Sequence, residues 1–225
     1  MFKGTLWSKH LLVDTGVATN EGVLLRDLNG DGKPEWIPNS WVNASPVIVW
    51  ELGFVKDPTR VPTLKRILLS ETGQSHGLGF GDINNDGYED LLTAAGWLEH
   101  PQEEVFERPW KYHPDWRSRW SVPIFVRDLN KDGRNDIIFG NPHDYGLKVW
   151  YAESPGPEGK LIFREEIIDN TYSQLHCIHF ADLNGDGRDE LITGKRVRAH
   201  NGGDPGAMDP PIICYYAIDE TGTFT

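Results

Sequence analysis

The chain has 225 residues, and its 34 acidic against 22 basic side chains give a formal net charge of −12. Hydrophobic residues make up 38% and aromatic residues 11% of the sequence, which is enough for a packed core and argues against a disordered acidic tail. The acidic balance disfavours binding to nucleic acid or to an anionic membrane surface, and no run of about 18 apolar residues is available for membrane insertion.

The cysteines and the N-terminus say little about the compartment. Cys177 and Cys214 are too few for a disulfide framework and lack the Cys-x-x-Cys spacing of a zinc site. The first residues lack the apolar core of a signal peptide, so we expect any exporting segment to be absent or to lie upstream.

A short acidic motif recurs four times along the chain. In chain order the copies are DLNGDGKPE at residues 27–35, DINNDGYED at 82–90, DLNKDGRND at 128–136 and DLNGDGRDE at 182–190. These copies begin 46 to 55 residues apart, a period that suits the four-stranded blade of a β-propeller.

Four kinds of predicted strand accompany the motifs, in the order outer, inner, second and third. Outer strands are predicted at residues 6–14, 64–71 and 163–170. Each inner strand places apolar residues two and four positions before the first Asp, which predicts one apolar face: Leu25 and Val23, Phe80 and Leu78, Val126 and Ile124, Phe180 and Ile178. Second strands begin at the apolar pairs 36–37, 91–92, 137–138 and 191–192, and third strands cover 47–52, 96–100, 147–152 and 212–217.

This pattern lacks convincing helical periodicity and predicts an all-β fold. We expect a single β-propeller domain over residues 1–225 with four four-stranded blades, whose repeats cover approximately 4–52, 53–101, 102–153 and 154–225. Two alternatives remain open. The chain forms a small closed ring in which the N-terminal strand joins the last blade, or it is a fragment of a six- to eight-bladed propeller.

The acidic motifs have the composition of calcium loops. Oxygen-bearing side chains at positions 1, 3, 5 and 9, a backbone carbonyl at position 7 and a glycine at position 6 are suited to a hard cation. The candidate ligands are Asp27, Asn29, Asp31, Lys33 and Glu35; Asp82, Asn84, Asp86, Tyr88 and Asp90; Asp128, Asn130, Asp132, Arg134 and Asp136; Asp182, Asn184, Asp186, Arg188 and Glu190. Position 12 holds no Glu, which excludes an EF-hand. The alternative is a set of metal-free hairpin turns.

The fourfold motif resembles the FG-GAP/VCBS repeat of β-propellers, including the calcium-binding blades of integrin α subunits, over nearly the whole chain. The resemblance implies up to four structural Ca²⁺ ions that tie the inner hairpins together and seldom touch a substrate. It implies no particular activity, since such propellers serve in adhesion, carbohydrate binding and lyase catalysis.

Functional residues are expected at the opposite ends of the inner strands, where loops of several blades converge over the channel mouth. Six positions before the first Asp stand Glu21, His76 and His176, with Val122 in the third repeat. Two imidazoles and a carboxylate at equivalent points of a ring are suited to a catalytic cation or to acid–base catalysis. The alternative is that each His only hydrogen-bonds neighbouring loops.

Loops predicted over this mouth are rich in cations and indoles, which suit an anionic or carbonyl-bearing sugar. Arg196 is the candidate stabiliser of an enolate, and the candidate ligand-binding residues are Trp41, Trp97, Arg117, Trp120, His143, Lys195, Arg198 and His200. The alternative is a solvated rim in which the indoles pack between blades.

Residues 173–190, SQLHCIHFADLNGDGRDE, more weakly resemble one blade of the propeller in aldos-2-ulose dehydratase/isomerase enzymes. By that resemblance His176 lies near a metal-assisted sugar dehydration site, although the cupin domains of those enzymes do not follow. Three functions are therefore considered: an extracellular or periplasmic carbohydrate-recognition module, a sugar or polysaccharide lyase or dehydratase, and a protein-adhesion module.

Overall fold

A computed structural model of the chain describes residues 11–16, 19–53, 63–118 and 123–225. Within these residues the fold is all-β, with two short 3-10 segments at Pro157–Gly159 and Ala199–Gly202. The strands are β1 (Asn20–Arg26), β2 (Glu35–Ser40), β3 (Val47–Gly53), β4 (Thr63–Ser70), β5 (Leu78–Gly81), β6 (Asp90–Thr93), β7 (Gly96–Glu99), β8 (Lys111–His113), β9 (Ile124–Arg127), β10 (Asp136–Gly140), β11 (Tyr145–Ala152), β12 (Phe163–Ser173), β13 (Leu175–Ala181), β14 (Glu190–Lys195) and β15 (Ile213–Tyr216).

The strands form four successive antiparallel meanders. Strands β1 to β4 make one sheet, β5 to β8 and β9 to β12 make two meanders joined by parallel pairing of β5 with β9, and β13 to β15 make a three-stranded sheet. This confirms the predicted all-β fold of repeated meanders and is consistent with a β-propeller fragment.

Two of the predicted outer strands complete the sheet of the repeat before them. Strand β4 pairs with β3, and β12 pairs with β11. Of the first predicted outer strand, at 6–14, only residues 11–14 are described, and they are irregular. After the fourth meander an isolated bridge joins Ile218 and Phe224, so the last residues fold back beside the segment that follows β15.

The core lies between consecutive meanders, face against face. One hydrophobic cluster joins the first and second meanders, a second joins the second and third, and a third joins the third and fourth. The neighbours Ile137 and Ile138 are both fully buried but belong to different clusters. Because successive strand residues point to opposite faces, the paired apolar residues of the second strands bury both faces of their sheet.

The inner strand of the first meander departs from the expected burial of its apolar face. Val23 is 49% and Leu25 is 54% exposed, whereas the equivalent Leu78 and Phe80 of β5 are buried. Strand β1 belongs to the first meander, and no described sheet covers its outward face. Ile213, 88% exposed on β15, lies on the fourth meander at the other end of the series.

Neighbouring acidic motifs are tied together by their eighth residues. Glu89 lies 3.5 Å from Arg26, the residue before the first motif, and Asp189 lies 3.0 Å from Arg127, which precedes the third motif. Asn135 Nδ2 donates to the carbonyl of Asp82 at 2.6 Å. The end of the fold that carries the acidic motifs is therefore connected from one meander to the next.

We expect Ile137→Ala to reduce the free energy of unfolding by about 2–5 kcal/mol, because it opens a cavity in a fully buried cluster. The matched Ile213→Ala, at a position 88% exposed, is expected to change it by no more than about 0.5 kcal/mol. Urea unfolding followed by tryptophan fluorescence measures both. A large loss for Ile213→Ala would contradict the open face on β15.

Candidate functional site

The four acidic motifs adopt the same turn, in which side chains bind backbone amides. Asp27 Oδ1 accepts from the Asp31 amide at 3.1 Å, and Asp27 Oδ2 accepts from the Gly32 amide at 2.8 Å. The first Asp of every other motif repeats both contacts. The position-6 glycines have φ between +82° and +94°, the region in which side chains are strained, so the turn requires glycine there.

The carboxylates at position 9 are buried beneath these turns. Glu35 and Asp90 are 1% and 0% exposed, and each accepts a hydrogen bond from the amide of the second residue in its motif. Asp136 and Glu190 make the equivalent contact at 3.1 and 2.8 Å. Burial raises the pKa of Asp90 to about 7 and that of Asp136 to about 6. This backbone role was not predicted from the sequence.

The donor set of each motif fits a hard cation in its chemistry, since it consists of carboxylate and amide oxygens. The donors are not gathered tightly, however: among the described residues, no three carboxylates of one motif place oxygen atoms within 4.8 Å of one another. Lys33 and Arg134 instead pair through their side chains with Asp31 and Asp132, at 2.8 and 2.6 Å. The metal-ligand role of these positions stays a prediction.

A cavity of about 810 Å³ opens at the opposite end of the meanders. The β2–β3, β10–β11 and β14–β15 connections contribute to it, and so do the segments before β5 and after β8, whereas the acidic motifs connect β1 to β2, β5 to β6, β9 to β10 and β13 to β14. Its lining residues are Asn20, Glu21, Trp41, Asn43, Ser75, His76, Arg117, Ser118, His143 and His200. Six of these were predicted from the sequence as site residues.

Three imidazoles from three successive meanders meet beside this cavity. The ring centroids of His76 and His143 are 5.0 Å apart, those of His143 and His176 are 5.6 Å apart, and those of His76 and His176 are 6.2 Å apart. One ring nitrogen from each lies within 4.8 Å of the other two. His76 Nε2 also lies 2.8 Å from Glu21 Oε2. The predicted mouth residues of three repeats are therefore brought together.

The Asp204 carboxylate contacts two histidines beside the cavity and was not predicted from the sequence. Asp204 Oδ2 accepts from Nδ1 of His143 at 3.2 Å and lies 2.7 Å from Nδ1 of His200, whose ring stacks on His143 at 4.7 Å. Burial lowers the pKa of His143, and burial together with the nearby Arg196 guanidinium lowers that of His176 to about 4. Both imidazoles are therefore neutral at physiological pH. The four-residue spacing of His200 and Asp204 in a glycine-rich loop was the available signal.

The loop that carries Asp204 has a strained backbone and internal anchors. Arg198, His200 and Asn201 all have positive φ, between 42° and 56°. Such conformations cost about 1–3 kcal/mol each in a non-glycine residue and persist only where surrounding contacts impose them. Gln174 Nε2 donates to the Pro205 carbonyl at 3.2 Å, and Tyr145 Oη donates to Asp209 at 2.6 Å.

Several predicted ligand-binding residues are placed elsewhere. Trp97 is 3% exposed, stacks on His113 and donates to Asp115, so it packs in the core and offers no surface to a ligand. Lys195 is 5% exposed, and its Nζ lies within 3.3 Å of the Arg196 and Ala207 carbonyls that accept from it, so it holds the loop.

Two other predicted cations, Arg196 and Arg198, are not among the described residues that line the cavity. Arg198 is exposed outside the cavity lining. Arg196 lies beside the histidine cluster, where its Nη2 donates to Gln174 Oε1 at 3.4 Å. Trp120 lies outside the described residues. Of the predicted indoles, Trp41 lines the cavity and is 52% exposed.

Comparison with known proteins identifies the repeat in part of the chain. Residues 128–193, which include the third and fourth acidic motifs, match the FG-GAP-like repeat family. A search of curated proteins finds no significant match. Among solved structures the chain is similar to the V. cholerae biofilm matrix protein Bap1, with 17% identity and a TM-score of 0.43 over 90% of this chain and 27% of that one. The chain thus spans about a quarter of the length of that protein.

No described helix is long and apolar enough to cross a membrane.

In EDTA we expect the midpoint of thermal unfolding to fall as the pH rises from about 5 to about 8. The folded-state pKa values of Asp90 and Asp136, about 7 and about 6, lie above the ordinary value of 3.8, so the folded protein binds protons that the unfolded chain releases. This stability is lost as the pH rises through the folded pKa values.

Asp90→Asn cannot ionise and is the control for this pH dependence. Its midpoint is expected to be lower at pH 5, because the amide nitrogen faces backbone donors, and to fall less with rising pH. Differential scanning fluorimetry over the pH series measures both proteins. Equal slopes for wild type and variant would contradict a raised pKa at Asp90.

Proposed function

We propose that the chain is a calcium-stabilised FG-GAP-like repeat module that binds carbohydrate in the cavity opposite its acidic motifs. The cavity itself carries this proposal: about 810 Å³ in volume, it is lined by an exposed indole, an arginine and hydrogen-bonding amides and imidazoles. Concave sites that combine a flat apolar surface with convergent polar groups suit ring-shaped polar ligands.

An acidic sugar is the ligand class that this lining favours. Trp41 offers a ring face for stacking, and Arg117 offers a planar guanidinium that can pair with a carboxylate through two hydrogen bonds. Ser75 Oγ donates to Asn43 Oδ1 at 3.0 Å, which leaves the Asn43 amide group at the cavity wall as a donor for sugar hydroxyls.

Calcium is supported by the charge and chemistry of the motifs. Positions 1, 5 and 9 of the four motifs hold twelve carboxylates, about a third of the 34 acidic residues, in a chain of net charge −12. Divalent cations would relieve the repulsion among them, and oxygen donors around a glycine turn are the ligands that calcium takes. Sites of this kind fill at millimolar external calcium, and we therefore propose an extracellular or periplasmic location.

A lyase or dehydratase acting on the same sugars is the second candidate, favoured by the 2.8 Å contact between Glu21 and His76. A carboxylate beside an imidazole is a common arrangement for a general base. In such an elimination the base takes the proton α to the sugar carboxylate, the β carbon–oxygen bond breaks, and the departing oxygen takes up a proton. A protein-adhesion module, the third function considered above, has no specific contact in its favour.

Removal of calcium with EDTA is expected to lower the melting temperature by several degrees. Magnesium added in place of calcium is not expected to bind to the emptied motifs. Asp31→Ala should reduce the number of calcium ions bound by one, because it removes a position-5 carboxylate, while Glu103→Ala, an exposed acid outside the motifs, should leave the number unchanged. Isothermal titration calorimetry counts the ions. An unchanged melting temperature in EDTA would exclude structural calcium.

Trp41→Ala is expected to weaken binding of uronic-acid oligosaccharides about tenfold, which corresponds to about 1.4 kcal/mol of lost stacking. Tyr215→Ala removes an aromatic ring that is 62% exposed on β15, outside the cavity, and should leave the affinity unchanged. Calorimetric titration with a panel of neutral and acidic oligosaccharides measures the affinities.

The same titrations separate the two candidate functions. Formation of an unsaturated sugar, seen by its ultraviolet absorbance and lost in His76→Ala with binding retained, would favour the lyase. Equal affinity of wild type and Trp41→Ala for every sugar would contradict stacking of the ligand on Trp41.

A further inference from the structure

A second cavity, of about 460 Å³, adjoins the cavity described above. The β2–β3 connection, the β6–β7 turn and the segments before β5 and after β8 contribute to it. Asn43 and Arg117 line both cavities, so the two spaces share a wall. The first cavity lies within the usual range of about 300–1,000 Å³ for a small ligand, and the two together exceed that range.

We propose that the ligand is an oligosaccharide in which an acidic sugar is joined to a neutral sugar, with the acidic unit in the first cavity and the neutral unit in the second. This inference rests on the proposed function, because it requires that sugar binds in the first cavity. It adds a second subsite and the order in which the two kinds of sugar occupy the site.

Arg117 supplies the charge that selects the acidic unit. Its side chain is exposed, and it forms no ion pair with any residue in the described part of the chain. An unpaired guanidinium at a cavity wall is suited to hold a carboxylate through two hydrogen bonds. Because Arg117 lines both cavities, the other groups of each cavity decide on which side the carboxylate lies.

Asp115 makes the second cavity unsuitable for a second carboxylate. It lines the second cavity and not the first. Its Oδ2 accepts from Trp97 Nε1 at 2.9 Å and from the Leu161 amide at 3.3 Å, whereas no described residue donates to its Oδ1. A carboxylate oxygen is a strong acceptor for sugar hydroxyls and repels a like charge nearby. The second cavity therefore favours a neutral, hydroxyl-bearing sugar.

The second cavity also offers an apolar surface that is held in place. Tyr112 and Pro114 both line it. Tyr112 Oη donates to the Ala95 carbonyl at 2.7 Å, and the ring lies so close to Gly73 that an added Cβ there would meet it at 3.1 Å. A ring fixed in this way loses little freedom when a sugar binds, and apolar surface beside a polar acceptor suits a sugar ring.

The wall shared by the two cavities is fixed by the segment before β5. Ala44 has φ +60°, a conformation that is strained in a non-glycine residue. Its amide donates to the Gln74 carbonyl at 3.0 Å, and the Gln74 amide donates to the Ser45 carbonyl at 3.1 Å. The side chain of Gln74, 3% exposed, accepts from the Ser40 amide at 3.0 Å. Both cavities are therefore formed before a ligand binds, which lowers the cost of binding.

Isothermal titration calorimetry in excess calcium tests this proposal with three ligands. They are glucuronic acid, oligosaccharides in which glucuronic acid alternates with a neutral hexose, and oligomers of glucuronic acid of the same length. We expect the mixed oligosaccharide to bind about tenfold more tightly than either of the others, because it alone places a neutral unit beside Asp115.

Asp115→Asn tests the selection between the two oligosaccharides. The amide oxygen can still accept from Trp97 and Leu161, but the negative charge is removed. We expect the affinities for the mixed and the fully acidic oligosaccharide to come within about twofold of each other. Glu103→Gln, at an exposed acid that lines neither cavity, should keep the tenfold preference of the parent protein.

Thr72→Trp tests the placement of the second unit, because an indole at this position fills the second cavity. The affinity for the mixed oligosaccharide is expected to fall about tenfold, to that of glucuronic acid. Thr171→Trp, at an exposed position on β12 outside both cavities, should retain the full affinity. Circular dichroism checks that the variants fold; if Thr72→Trp does not, the Asp115→Asn comparison decides the question.

Three results would overturn the second subsite while leaving sugar binding in the first cavity intact. They are equal affinity for glucuronic acid and the mixed oligosaccharide, tighter binding of the fully acidic oligosaccharide, and an unchanged preference in both Asp115→Asn and Thr72→Trp. Failure of every sugar to bind would instead overturn the proposed function, and this inference with it.

Discussion

The structure depends on a buried carboxylate that is repeated in all four meanders. Glu35, Asp90, Asp136 and Glu190 each accept from a backbone amide seven residues earlier, on the other side of the turn. A buried carboxylate is stable only when its oxygens are hydrogen-bonded, and these bonds hold the inner strand against the second strand at one end. The acidic end therefore stabilises the strand pairing, and the cavity lies among the connections at the opposite end.

The two ends of the meanders differ in the ligands that they offer. The acidic end presents carboxylate and amide oxygens, which suit hard cations. The cavity end presents the imidazoles of His76, His143 and His176 beside Glu21 and Asp204, which suit borderline cations. The two ends therefore present two kinds of donor at separate places, oxygen atoms at one end and imidazole nitrogens at the other.

The loop between β14 and β15 connects the fourth meander to this second end. It contains the strained residues Arg198 and His200. Farther along the loop, Pro205, Ala207 and Asp209 accept hydrogen bonds from Gln174, Lys195 and Tyr145, respectively. Backbone strain of this kind persists only where surrounding contacts impose it, and it is common in segments that position a functional side chain. Here the loop delivers Asp204 to His143, two residues that are 61 positions apart.

The sequence alone determined the all-β repeats, the four acidic turns and the end of the meanders at which Glu21, His76 and His176 lie, because strand alternation and glycine turns are local properties. It could not separate Trp41, which lines the cavity, from Trp97, which is buried in the core. It also left Asp204 unnoticed and gave no sign that Val23 and Leu25 would be half exposed. Those outcomes depend on which meander packs against which, and only the tertiary structure decides contacts between residues so far apart in the chain.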